Sequence, residues 1–323
     1  MTLKRTRVAA VGLLFAISIA KAQQPTAPPE VVQLLGLDGV KRGAKGRLDV
    51  DKGNLHFVHA KTSSDLTIAS VQDVVTGADT VKAVGNTIGI LSMAAPYESG
   101  RFLSLFRRKI DTLTIQYQDA DGGAHGAIFS MPVGAAEVIK KDLVAQGAHT
   151  LPVAEANAAP LPSNASREKE DNVPASPEEK SAKIRASAIQ VEIIQSDEIK
   201  LPAEFQIALY ENLVRQLEKE EKFTHIYRDG DRNASTAADV VVLHCLVRGF
   251  KAGSERLRQV TTVAGATSIT VHCQFTNADG RPLLARDVNG KVRFFGGNLR
   301  ATYDFAKKAA QVTAENFSPS DAK

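Results

Sequence analysis

The sequence predicts two domains: a mainly β domain closed by a C-terminal helix, then an α+β domain with a largely antiparallel sheet and two helices. Three observations predict this. From 148 to 183 the chain reads AHTLPVAEANAAPLPSNASREKEDNVPASPEEKSAK, rich in Ala, Pro, Ser and charge and nearly free of large apolar side chains. Such a stretch cannot bury enough surface to offset its ordering entropy and reads as a flexible linker. Before it, apolar residues recur with period two; after it, stretches of period two alternate with stretches of helical period.

The chain opens MTLKRTRVAAVGLLFAISIAKAQQ, with Lys4, Arg5 and Arg7 before an apolar run over 8–20 that ends in Ala20-Lys21-Ala22. This is the pattern of a cleavable secretory signal over 1–22. The run falls short of the roughly 20 residues a spanning helix needs, and no cysteine lies near the cleavage site to carry a lipid. A periplasmic or secreted chain beginning near Gln23, with a Pro-rich lead over 23–42 and no transmembrane span, is therefore expected. Of the 40 basic residues, four lie in 1–22, leaving 36 against 36 acidic ones and a mature charge of zero. That balance gives no electrostatic footprint for nucleic acid.

The first domain, 43–147, pairs Leu48 with Val50, Leu55 with Phe57, Leu66 with Ile68, and later aligns Leu113, Ile115 and Tyr117. These are half-buried strands. DKGN at 51–54 and DADGG at 119–123 supply hairpin turn residues. After a further strand in AHGAIFSM, Ala136, Ile139 and Leu143 mark one helical face, which Gly147 ends. Strands closed by one helix resemble the pleckstrin-homology-like barrel, including its bacterial and GRAM-type relatives, and the resemblance implies a closed barrel.

The second domain, 184–317, precedes a short tail, 318–323. A strand over 188–194 leads into LPAEFQIALYENLVRQLEKEE, where Phe205, Leu209, Leu213 and Leu217 form one helical stripe. Strands follow over 224–228, 239–250, 267–276 and 283–293. Asn298 is placed to cap a last helix burying Leu299, Thr302, Ala306, Ala309, Thr313 and Phe317. The stretch ADVVVLHCLVRGFKAGSERLRQVTTVAGATSITVHCQFTNADGRPLLARDV resembles the bacterial envelope family catalogued as domain of unknown function 4410. The matching elements are Ala238-Asp239, Gly253-Ser254 followed by Arg258, Gly265-Ala266 and the Asp279-Gly280 turn. The resemblance implies an envelope location and a non-catalytic role.

Both cysteines sit in near-repeated tripeptides, LHC at 243–245 and VHC at 271–273. Alternation puts Val241, Leu243, Cys245 and Val247 on one strand face, and Ile269, Val271, Cys273 and Phe275 on another; His244 and His272 face away. Neighbours pointing to opposite faces cannot converge on one zinc ion, so no metal site is expected. A hairpin centred on Gln259 would bring Cys245 opposite Cys273. The oxidising surroundings of an exported chain then favour a disulfide, against the alternative of two small core residues.

No other constellation announces a reaction. His56 and His59 are three apart on a strand, Ser254 lacks a nucleophile elbow, DADGG lacks the later acid of a calcium loop, and no phosphate-binding glycine motif or cofactor signature occurs. One local patch remains: Arg101, Phe102, Phe106, Arg107, Arg108 and Lys109 set apolar rings beside clustered cations, a composition suited to an anionic lipid headgroup or a partner. The expected function is non-catalytic binding or scaffolding in the envelope, without cofactor, toward an envelope protein or lipid headgroup. An envelope hydrolase assembled only in three dimensions is the alternative, and the oligomeric state is open.

Overall fold

The structure, a computed structural model, describes residues 28–77, 110–151, 183–196, 199–237, 239–253, 265–292 and 298–319. The signal segment 1–22, the basic patch 101–109, Ser254, Arg258 and nearly all of the linker lie outside the described residues. Among the described residues no helix is long and apolar enough to cross a membrane.

The first half contains β1 (Glu30–Leu35), β2 (Lys45–Asp51), β3 (Asn54–His59), β4 (Thr62–Thr67), β5 (Val71–Thr76), β6 (Ile110–Gln118), β7 (Ala124–Pro132) and α1 (Ala135–Ala145). The strands form one antiparallel sheet in the order β4-β3-β2-β1-β7-β6-β5. Asp51 pairs with Asn54 across a two-residue turn in which Lys52 and Gly53 have φ of 47° and 78°, the left-handed pair a tight hairpin demands. Among the described residues the sheet does not close into a barrel, contrary to the sequence expectation. Strands β4 and β5 stand at its opposite ends. They are joined by the short 3-10 turn Ile68–Ser70, not by a hydrogen-bonded ladder. Curvature still gathers both ends around one core, which includes Leu48, Phe57, Ile68, Val74, Ile115 and Phe129 together with Ala136, Ile139 and Leu143 of α1. Fully burying each such Leu, Ile or Phe contributes about 1.5–3 kcal/mol.

The second half contains β8 (Ile184–Ala186), β9 (Ala188–Val191), α2 (Ala203–Glu220), β10 (His225–Arg228), β11 (Val240–Lys251), β12 (Thr267–Asn277), β13 (Pro282–Val292), α3 (Arg300–Asn316) and β14 (Phe317–Pro319). Its main sheet runs β10-β9-β11-β12-β13. The ladders β11-β12-β13 are antiparallel, whereas β9 runs parallel to both β10 and β11. Helices α2 and α3 pack on one face, where Leu209, Leu213, Phe305 and Ala309 meet Ile189, Leu243, Val271 and Phe275. Helix α3 begins without a side-chain cap. Asn298 is instead buried, accepting a hydrogen bond from the Thr267 hydroxyl at 2.8 Å. Phe317, expected on the helix, is the first residue of β14 and stays in the core.

Helix α2 is buried on two sides. While Leu209, Leu213 and Leu217 face the second sheet, Ile207 and Ala208 pack with Leu35 and Ile128 on the back of the first. A Cβ added to Gly126 of β7 would lie 2.3 Å from Ile207 Cγ2, so only glycine permits this approach. Two turns also dock: the Ala124 N–H donates to Asp229 O at 2.8 Å and the Arg232 N–H to Asp121 O at 3.0 Å.

Candidate functional site on the open sheet face

With α2 and α3 both on the inner face of the second sheet, the outward side chains of β9, β11, β12 and β13 form a mixed surface, in which half-buried Val242 and Leu246 of β11 lie among polar residues of β12 and β13. It follows from alternation: the burial pattern of β12 reads buried at Thr267, Ile269, Val271, Cys273 and Phe275 and half-buried between them. In register, His244 lies opposite Gln274, and His272 opposite both Leu246 and Asp287.

Both histidines are held by carboxylates. His244 Nδ1 is 2.5 Å from Glu192 Oε2, just past the end of β9, and its Nε2 is 3.1 Å from the Thr276 hydroxyl. His272 Nδ1 is 2.7 Å from Asp287 Oδ1. The His244 and His272 side chains remain 40% and 33% exposed, so the face is pinned in place yet open to a partner. Carboxylate, imidazole and hydroxyl in line is also the order of an orienter, a base and a nucleophile. Here the hydroxyl is secondary and belongs to a residue only 5% exposed, and the three groups span a sheet surface. Geometrically the set is a brace across β9, β11 and β12. Neither Glu192 nor Thr276 was singled out by sequence; the signal available was polar alternation in AIQVEI, which puts Gln190 and Glu192 on one face.

The inward neighbours behave differently. Cys245 and Cys273 are directly opposed on β11 and β12, both buried among apolar side chains. Their sulfurs are 3.1 Å apart, well beyond a covalent S–S bond of about 2.05 Å. The expected disulfide is therefore corrected to two free thiols. Burial pushes the Cys245 thiol well above its ordinary pKa, and the neighbouring Cys273 adds to the shift, so neither reactivity nor metal binding is favoured. No group of three or more metal-ligating side chains occurs among the described residues.

Of the hairpin residues singled out by sequence, Gly253 and Gly265 are described and come together. A Cβ on Gly253 would lie 2.2 Å from Gly265 O, and Gly265 has φ of +85°. The Gly253 N–H donates to Thr267 Oγ1 at 3.1 Å, which ties the base of the hairpin to Asn298 through the same threonine. Packing accounts for Gly253 and the left-handed backbone for Gly265. In the DADGG turn, Asp119 Oδ1 accepts from the N–H groups of Asp121 and Gly123, and Oδ2 lies 2.9 Å from His125 Nε2. The carboxylate is engaged by the turn and by His125. Burial alone would raise its pKa, but His125 and Gly123 outweigh that and hold it below the usual value.

No family model matches the chain, and no curated protein matches it. Among solved structures it is similar to a PelC dodecamer from Paraburkholderia phytofirmans, 12% identical, with a TM-score of 0.31 over 41% of this chain and 89% of that one. It is also similar to a putative lipoprotein from Caulobacter crescentus CB15, 19% identical, with a TM-score of 0.21 over 38% of this chain and 81% of that one. Likenesses at these scores carry no argument about activity or partners.

Proposed function

We propose that this chain is an exported, non-catalytic protein of the bacterial envelope that binds or scaffolds a partner through the open face of its second sheet. The observation that carries the proposal is the pinning of His244 by Glu192 and of His272 by Asp287 on a face opposite both helices. Side chains already ordered lose little entropy when a partner docks. The export-type leader and the resemblance to domain of unknown function 4410 support the location. A photo-crosslinker at Gln274, used in envelope extract with mass spectrometry, should trap the same partner repeatedly. Replacing His272 and Asp287 by alanine should abolish that product while the melting temperature holds; an unchanged product, or none with the intact face, defeats the proposal.

A second reading, acyl transfer, rests on the Thr276 hydroxyl lying 3.1 Å from His244 Nε2. Labelling by a fluorophosphonate that disappears in Thr276→Ala would establish it. The patch 101–109 is proposed as a lipid contact only if the protein co-sediments with anionic vesicles and charge reversal there releases it.

A further inference from the structure

Strand β13 is the last strand of its sheet and is 11 residues long, so among the described residues one side of its backbone has no strand partner. A long free edge is a template for pairing with another chain. Two residues of α3 occupy it. Asp304 Oδ2 accepts the Lys291 N–H at 2.9 Å, and Lys308 Nζ donates to Asn289 O at 2.9 Å. The two side chains form an ion pair of their own, 2.7 Å apart and one helical turn removed from each other.

This reach depends on glycine. A Cβ on Gly290 would lie 2.2 Å from Ala301 O and 2.7 Å from Phe305 Cβ, so the bare backbone lets α3 press close to the edge strand. Sequence, packing and edge chemistry are thus linked: Gly290 sets the approach, and the approach puts Asp304 and Lys308 on the edge.

The edge is also self-complementary. Asp287, Asn289 and Lys291 share the outward face of the sheet, opposite His272, Thr270 and Ser268 of β12. An antiparallel pairing of two copies centred on Asn289 sets Asp287 against Lys291 of the other copy, twice, and Asn289 against its own copy. The backbone groups it would pair at Asn289 and Lys291 are those that α3 now holds. We propose that the Asp304–Lys308 pair is a built-in guard that keeps β13 from pairing with β13 of a second copy of this chain.

Two measurements on the full chain test the guard. In wild-type protein the Lys291 amide should exchange with solvent at least about tenfold more slowly than that of Asp287, which points the same way without a guard. Asp304→Ala/Lys308→Ala should then sediment at twice the wild-type mass as concentration rises, and adding Asp287→Lys, which opposes like charges across the pairing, should restore the wild-type mass. Equal exchange at Lys291 and Asp287 overturns the proposal, as does a double variant that keeps its wild-type mass or dimers that survive Asp287→Lys. If the double variant does not fold, the exchange ratio in the wild type decides alone.

Discussion

Arg228 holds Glu211 with both prongs of its guanidinium, Nη1 to Oε1 at 2.9 Å and Nη2 to Oε2 at 3.1 Å, at the junction of the two sheets. Each partner also reaches into the first half: Glu211 Oε1 accepts the Gly126 N–H at 2.9 Å, and Arg228 Nη1 donates to Ala124 O at 3.0 Å. Burial works against the guanidinium charge, but Glu211 more than offsets it and the Arg228 pKa is raised. Removing one partner of a buried, fully bonded pair leaves the other charge uncompensated, so Glu211→Ala is expected to cost about 3–5 kcal/mol. Chemical denaturation should show this as a lowered midpoint, and Glu211→Ala/Arg228→Met should recover part of the loss.

Helix α2 extends that junction along its length. With twelve of its 18 residues buried, it serves the cores of both halves. The full chain is accordingly expected to melt in one cooperative transition. Fragments 23–147 and 182–323, tested separately, should each melt below the temperature of the full chain, because each loses the Gly126–Glu211 and Ala124–Arg228 contacts. Two independent transitions in the full chain, unchanged in the fragments, would show that the junction does not couple them.

The tightest point of the junction gives a sharper test. Gly126→Ala drives a Cβ into Ile207 Cγ2, 2.3 Å away, and overpacking of this kind costs about 1–3 kcal/mol. Ile207→Ala, which removes the clashing Cγ2, should return part of it in the Gly126→Ala background, so the two changes should be non-additive in a double-mutant cycle. Additivity would mean that the approach of α2 to β7 is looser than the structure has it.

Much of this was legible in the chain itself, for reasons that differ by element. Period-two alternation located β2, β3, β6, β11, β12 and β13 to within a few residues, and the symmetry of 245 and 273 about Gln259 placed the cysteines opposite each other. These signals are local. The second stripe of α2 was not legible: Ile207, Ala208 and Glu211 look like the ordinary back of an amphipathic helix until the rear face of the first sheet is set against them. Strand β1, with Gln33 inside an otherwise apolar alternation, gave a broken pattern, and Gln33 is wholly buried beside Phe129. Whether a curved sheet closes depends on pairing of its end strands, which no period within β4 or β5 encodes. The Glu192–His244 contact spans 52 positions and likewise follows from the parallel placement of β9 beside β11.

The cysteine pair yields a redox prediction. Since the sulfurs stand 3.1 Å apart as thiols, titration of unfolded, unreduced protein should count two free thiols per chain. The melting temperature should not differ between reducing and mildly oxidising buffer. Cys245→Ala and Cys273→Ala should each cost about 1 kcal/mol by losing packed sulfur, a truncation at the small end of the core range. A melting temperature that falls sharply on adding reductant would contradict the thiol assignment.

The last prediction concerns pH and the far end of the first sheet. His56 on β3 lies in register between Asp49 on β2 and Asp65 on β4, with Nδ1 2.8 Å from Asp65 Oδ1. The hydrogen bond to Asp65 is the main cause that raises the His56 pKa above 6.5, with the charges of Asp65 and Asp49 adding to it against slight burial. Asp65 moves the opposite way, held below 3.8 by bonds from Ser63 and His56. A histidine raised in the folded state binds its proton more tightly there than in the unfolded chain. Its contribution to stability is therefore full below about pH 6.5 and is lost as pH rises through the folded value. The Asp65 contribution is present above its unfolded value and fades as pH falls below about 3.8. Between those limits the brace is intact, and the gain is small because the pair is exposed. In an NMR titration the His56 ring should show a midpoint above 6.5, and Asp65→Asn should lower it toward that value. The variant should also lose the small rise in melting temperature expected between pH 8 and pH 5.5. A His56 midpoint unmoved by Asp65→Asn would mean that the carboxylate does not hold the imidazolium, and the brace across β3 and β4 would have to be assigned to backbone pairing alone.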